Sequence, residues 1–185
     1  MSDQLIPPAI IHAPSSDFPT DVFKWIKENA EGKMALKSMK CHKYFQHPDF
    51  PYSIILNIAY NDREDKWDVM TLDGKKLVYY GLESIETAFT KKLWLIGSLA
   101  LLESPNLVTR FITKIAVCDI KYLTLADQQF SFNDFLFLTS ANLITHISLY
   151  NTVINDDNGD PIFIDSILKC LPNLTAFIWY VFSLF

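Results

Sequence analysis

Apolar and polar positions change period along this chain, and each change predicts a different element. Near the N-terminus Phe18, Val22, Ile26 and Ala30 recur every four residues with Lys24, Lys27, Glu28 and Glu31 beside them, which predicts an amphipathic helix. Asp17 is placed to cap it, Pro19 falls in the first turn where no backbone N–H is missed, and Gly32 stands at its stop. A second helical stretch sets Leu36, Met39, Tyr44 and Phe45 against Lys33, Lys37, Lys40 and Lys43. Helices this short cannot bury their stripes alone and need the rest of the chain or a partner. The period then shortens: Ser53–Tyr60, Trp67–Thr71 and Lys76–Tyr80 are strand-like runs separated by a polar turn and by Asp73-Gly74. Such a turn between two strand runs is a hairpin signal.

From residue 92 strands and helices alternate. Ile120, Leu123 and Leu125 have the spacing L-x-x-L-x-L; Ile144, Ile147 and Leu149 repeat it 24 residues later, and Leu174, Phe177 and Trp179 after a further 30. This period resembles that of leucine-rich repeats, in which strands line one face and return helices pack behind. The alternative is an ordinary mixed α/β domain whose strands share an L-x-L core. An earlier repeat fits two registers: Leu93–Ile96 as the strand, ended by Gly97 with a helix from Ser98 through Leu102, or Ile96, Leu99 and Leu101 one period ahead of the next set. The first is preferred because glycine can end the strand. Between strands, Ser131-Phe132-Asn133-Asp134 resembles a capping box, and Asp160-Pro161 places a cap and first-turn proline before Ile164, Ile167, Leu168 and Leu171. The closing run Ile178–Phe185 lacks the polar outer face of a terminal repeat, which implies a truncated array or an edge that another chain covers.

The N-terminal residues carry a second resemblance. Phe18-Pro19-Thr20-Asp21, the two helical stretches and Cys41-His42-Lys43-Tyr44-Phe45 resemble an F-box, with Phe18 where that family has leucine and His42 inserted before the lysine. Lys92–Ile96, Cys118–Leu125 and Phe135–Ser140 are similar to segments of the large nematode-type families of F-box-like proteins. The F-box resemblance implies docking to the adaptor subunit of a cullin-type ubiquitin ligase through Phe18, Pro19, Val22, Ile26, Leu36 and Met39, with the repeat-like half holding a protein substrate. A helical hairpin that covers one end of a domain is the plainer alternative.

Composition sets limits. The chain has 185 residues, 50% of them hydrophobic, enough for a real core. Its net charge of −5 offers no basic field for a phosphate backbone, so nucleic acid is not expected as a partner. Cys41, Cys118 and Cys170 are scattered, odd in number and off metal spacing, which points to reduced thiols in a cytoplasmic or nuclear setting. Pro7, Pro8 and Pro14 interrupt the N-terminus, so no signal peptide is read there. The apolar runs Leu93–Leu102 and Ala176–Phe185 are too short for a spanning helix, and no membrane partner is expected.

Candidate chemistry is sparse. Asn155–Asp160 is acidic, but Ile154 stands where a calcium loop needs its first ligand, so turn chemistry is the expectation. No glycine-rich phosphate loop or nucleophile elbow occurs, and His12, His42, His47 and His146 have no partner in sequence. His146 is expected on the solvent side of its strand. The expected fold is mixed α/β: a flexible arm over 1–16, an F-box-like helical segment over 17–47, a hairpin-containing linker over 48–91 and a strand–helix repeat-like domain over 92–185. The expected function is a non-catalytic substrate adaptor without cofactor or metal. A small interaction module with no ubiquitin role is the alternative, and an enzyme of unknown class has no motif behind it.

Overall fold

The computed structural model describes residues 20–29, 34, 37–39 and 52–180, which fall in two units, 1–50 and 51–185. In the first unit the predicted helix is α1, Thr20–Asn29, with Asp21 in the first turn where a negative charge meets the helix dipole favourably. Lys24 and Glu28 form an i,i+4 pair at 3.9 Å. The arm, Phe18, Pro19, Gly32, Leu36 and the element Cys41–Phe45 lie outside the described residues.

The second unit is mixed α/β. Its first three strands are β1 (Tyr52–Asn61), β2 (Lys66–Thr71) and β3 (Lys76–Tyr80), paired antiparallel in sequence order as the turn residues predict. Gly74 takes a φ of +81° in the tight turn and donates its N–H to Thr71 O at 3.0 Å. The β1–β2 turn is fastened by Tyr60, whose hydroxyl donates to Asp65 Oδ1 at 2.9 Å. After a short helix α2 (Ser84–Ala88) comes β4 (Lys92–Leu102), and then α3 (Leu107–Ile112), β5 (Ile115–Cys118), β6 (Tyr122–Ala126), β7 (Gln129–Ser131), α4 (Phe132–Thr139), β8 (His146–Tyr150), β9 (Val153–Asn155), α5 (Ile164–Lys169) and β10 (Ala176–Tyr180).

The main sheet runs β10-β8-β6-β4-β1-β2-β3, with β5 also on β4. From β1 through β4, β6 and β8 to β10 all neighbours are parallel. Leu99, Leu123, Ile147 and Phe177 stand side by side, as do Leu101, Leu125, Leu149 and Trp179. The spacing that recurs in the sequence is therefore the register of the sheet. These side chains point to one face, where Leu107, Val108 and Phe111 of α3, Phe135 and Leu138 of α4 and Ile167 of α5 close over them in one buried cluster. Burying a leucine-sized side chain contributes about 1.5–3 kcal/mol, so the shared layer is the main stabilising element.

Two expectations are corrected. Gly97 does not end the first strand of this array and no helix starts at Ser98: β4 continues to Leu102, and the second register is the one observed. The glycine sits at an irregularity where Ile96 and Gly97 stand opposite Leu56 alone of β1, and a Cβ at Gly97 would lie 2.2 Å from the Leu56 carbonyl oxygen. Nor do Asp160 and Pro161 start α5, which begins at Ile164 with Phe163 ahead of it. They close the preceding loop instead: Asp160 N–H donates to Asp156 Oδ1 at 2.9 Å, and Pro161 bridges to Asn155. Ser131 does cap α4, accepting from Asp134 N–H at 3.1 Å, while the Asp134 carboxylate accepts from the Thr109 hydroxyl.

The turns leaving the parallel strands also repeat. Glu103, Asp127 and Asn151 each follow a strand directly with φ of 63°, 54° and 45°, and each donates its N–H to a carbonyl of the next strand in the sheet. Beside them the buried Gln128 donates to Ser104 O at 2.7 Å and Ala126 O at 3.0 Å and accepts from Val108 N–H at 3.2 Å. Thr152, one period later, donates to Tyr150 O at 2.9 Å. β7 and β9 form a separate parallel ribbon that buries Phe130 and Ile154.

Gly97→Ala is expected to destabilise the fold by about 1–3 kcal/mol, because the new methyl meets backbone that cannot rotate away; urea unfolding measures it. Gln128→Leu should cost a similar amount, about 1–3 kcal/mol, by leaving buried polar groups unpaired. Faster hydrogen exchange at the Val108 amide, with α4 unaffected, would locate that loss.

Candidate functional site

The face of the sheet opposite the helices is built by alternation. Each strand that sends its leucines inward sends the residues between them outward. Across the seven strands these form three rows. The first is Lys76, Met70, Asn57, Ser98, Tyr122, His146 and Ala176; the second is Val78, Asp68, Ala59, Ala100, Thr124, Ser148 and Ile178; the third is Tyr80, Lys66, Asn61, Leu102, Ala126, Tyr150 and Tyr180. None of them belongs to the buried cluster.

The rows differ in height. Ala59, Ala100, Thr124 and Ser148 make the centre of the middle row a low floor. Tyr122 and His146 rise on one side, their rings 5.0 Å apart, and Tyr150 and Tyr180 on the other. Tyr122 is 49% exposed, Ile178 43% and Tyr180 62%. His146 Nδ1 lies 2.9 Å from Thr145 Oγ1 and the residue faces solvent, as its strand position predicts. Toward the other end Ser98 Oγ donates to Asn57 Oδ1 at 2.9 Å, and Lys66 holds Asp68 at 3.6 Å. A shallow trough floored by small side chains and walled by aromatics at its β6–β10 end has the form of a binding surface for extended chain. The sequence signal for it is the positions between the leucines, which a search for the apolar period passes over.

The docking residues predicted near the N-terminus are placed only in part. Val22 and Ile26 are half-buried on α1, one turn apart, and Met39 is buried. Phe18, Pro19 and Leu36 lie outside the described residues.

Reactive groups are muted. The acidic loop is folded on itself: Asp156 Oδ1 accepts from the N–H of Asp160 and of Asn158, and these bonds, the first foremost, hold its carboxyl below the usual range. Among the described residues no cluster of histidine, cysteine and acidic side chains could hold a metal, and no helix is long and apolar enough to cross a membrane. Cys118 is buried, and burial pushes its thiol up to about 12. Trp94 is buried, its indole N–H donating to Asp119 Oδ2 at 3.0 Å, while Trp25 is exposed.

The geometry defines a mixed α/β unit with a helix-covered face and an open one. Comparison with protein-family models, with curated proteins and with solved structures found no match for this chain.

Alkylation by iodoacetamide at about pH 8, close to the ordinary thiol pKa, should label Cys170 well before Cys118. Peptide mapping should find Cys118 slower by at least about a hundredfold until the protein unfolds.

Proposed function

We propose that the chain is a non-catalytic protein-interaction module whose open sheet face, a short leucine-rich-repeat-like array extended by the β1–β3 hairpin, holds a target protein. The observation that carries this is the trough itself: the floor of Ala59, Ala100, Thr124 and Ser148, flanked at its β6–β10 end by Tyr122 and His146 on one side and Tyr150 and Tyr180 on the other. The coincidence of the 24-residue sequence period with the strand register supports the repeat assignment. In this proposal the F-box-like segment adds the second half of the function. Val22 and Ile26 lie on one stripe of α1, as a helix that docks into an apolar groove requires, and with Phe18, Pro19, Leu36 and Met39 they would engage the adaptor subunit of a cullin-type ubiquitin ligase. The protein would then raise the rate of target modification by effective concentration, not by chemistry of its own. The departures at Phe18 and His42 favour, as the second reading, an interaction module with no ubiquitin role.

Two arms test this. The purified chain should pull down the ligase adaptor subunit, and Pro19→Ala with Val22→Asp should abolish that capture; no capture by the folded wild-type chain leaves the second reading. Thr124→Arg with Ser148→Arg, which raises the floor of the trough, should remove proteins that co-purify from cells while leaving adaptor capture intact.

A further inference from the structure

At the hairpin end of the open face lies a hollow of about 280 Å³ lined by Asn57, Ala59, Asp68, Met70, Lys76 and Ser98. Taking a water's share of liquid volume as about 30 Å³, the hollow has room for one side chain and its flanking backbone. Its polar groups fall in one row across four strands: the Lys76 ammonium, the Met70 thioether, the Asn57 amide and the Ser98 hydroxyl. Their hydrogen bonding is lopsided. Ser98 spends its proton on Asn57 Oδ1, which turns the Asn57 NH2 toward the row, where the acceptor it finds is Met70 Sδ at 3.5 Å. A thioether is a weak acceptor, so this amide has donor capacity to give.

Charge on the face is just as uneven. The chain has 21 acidic residues, yet Asp68 is the one acid on the three rows, and its ion pair is with Lys66 at 3.6 Å, a lysine that Glu64 also holds. Lys76 makes no ion pair among the described residues, although it borders the hollow. A cation with no ion pair among the described residues, a donor with a poor acceptor and an apolar wall from Met70 and Ala59 complement a carboxylate on a short aliphatic stem.

We propose that this hollow receives an acidic side chain, glutamate above all, from a protein segment lying extended along the trough. The carboxylate would accept from the Lys76 ammonium and the Asn57 amide while its methylenes pack on Met70. The inference rests on the open face being a protein-binding surface, and it adds the charge of what is bound and the place where that charge is read.

The probe is a capped tripeptide of leucine, glutamate and leucine, titrated into the full chain at millimolar concentration beside its glutamine analogue and followed by NMR at the Asn57 side-chain amide. The glutamate peptide should bind at least about tenfold more tightly, the scale of one hydrogen bond to a charged group. Lys76→Met should erase the difference, Lys76→Arg should retain it, and Lys75→Met, one residue away in the turn, should leave it unchanged. Equal affinity for the two peptides, no binding of either to the folded chain, or a Lys76→Met variant that still prefers glutamate would overturn the proposal. The arginine substitutions at Thr124 and Ser148 report separately on the face: partners lost there without any preference for glutamate would overturn the hollow alone.

Discussion

The second unit depends on β4 pairing along both of its edges. This strand is the seam between two kinds of pairing, with β1 of the antiparallel hairpin on one side and β5 and β6 of the parallel series on the other. Leu93, Leu95, Leu99 and Leu101 reach the helix-covered core, while Ser98, Ala100 and Leu102 reach the open face. A slip of one residue would exchange the two sets and drive leucines into solvent. Opposite Leu56 of β1 the strand carries two residues, Ile96 and Gly97, and the crowded position is the one that has no side chain.

The same seam shows why some of the fold was legible in sequence and some was not. Asp73-Gly74 marks a turn by its own chemistry, and Ser131 caps a helix with atoms three residues away, so both can be found locally. The 24-residue recurrence of leucine and isoleucine was equally plain because parallel strands placed in register repeat their buried positions. Gly97 misled because its reason is on another strand: within β4 a glycine reads as a stop, and only the Leu56 carbonyl explains it. Asp160-Pro161 misled in a similar way, since Asp156 had already claimed the Asp160 amide and Asn155 the proline. The β7–β9 ribbon was invisible because strands of three residues carry no period to detect.

The candidate site was the least legible part. Its members are defined by what they are not, namely the residues that fail to be apolar between those that are. Tyr122 and His146 become a wall, and Ala100, Thr124 and Ser148 a floor, only after five strands from β1 to β10 have been laid side by side. From β1 to β10 neighbouring members of a row lie at least 24 residues apart in sequence. A surface of this kind also separates its duties cleanly, because the inward residues carry the stability and the outward ones can change without disturbing it.

The order of the strands also shapes how the unit forms. Joining β6 to β8 brings together residues 24 apart, as between Asp127 and Asn151, while joining β1 to β4 closes 41, as between Asn57 and Ser98. Loop-closure entropy rises so slowly with length that the two steps differ by only about 0.5 kcal/mol. No single junction is thus the obligatory first one, and assembly can start at any strand pair and spread in either direction, as in a one-dimensional stack. In the finished stack the ends are unequal to the middle. Among the described strands of that order β10 is held by β8 alone and β3 by β2 alone, which makes these two ends the first to open.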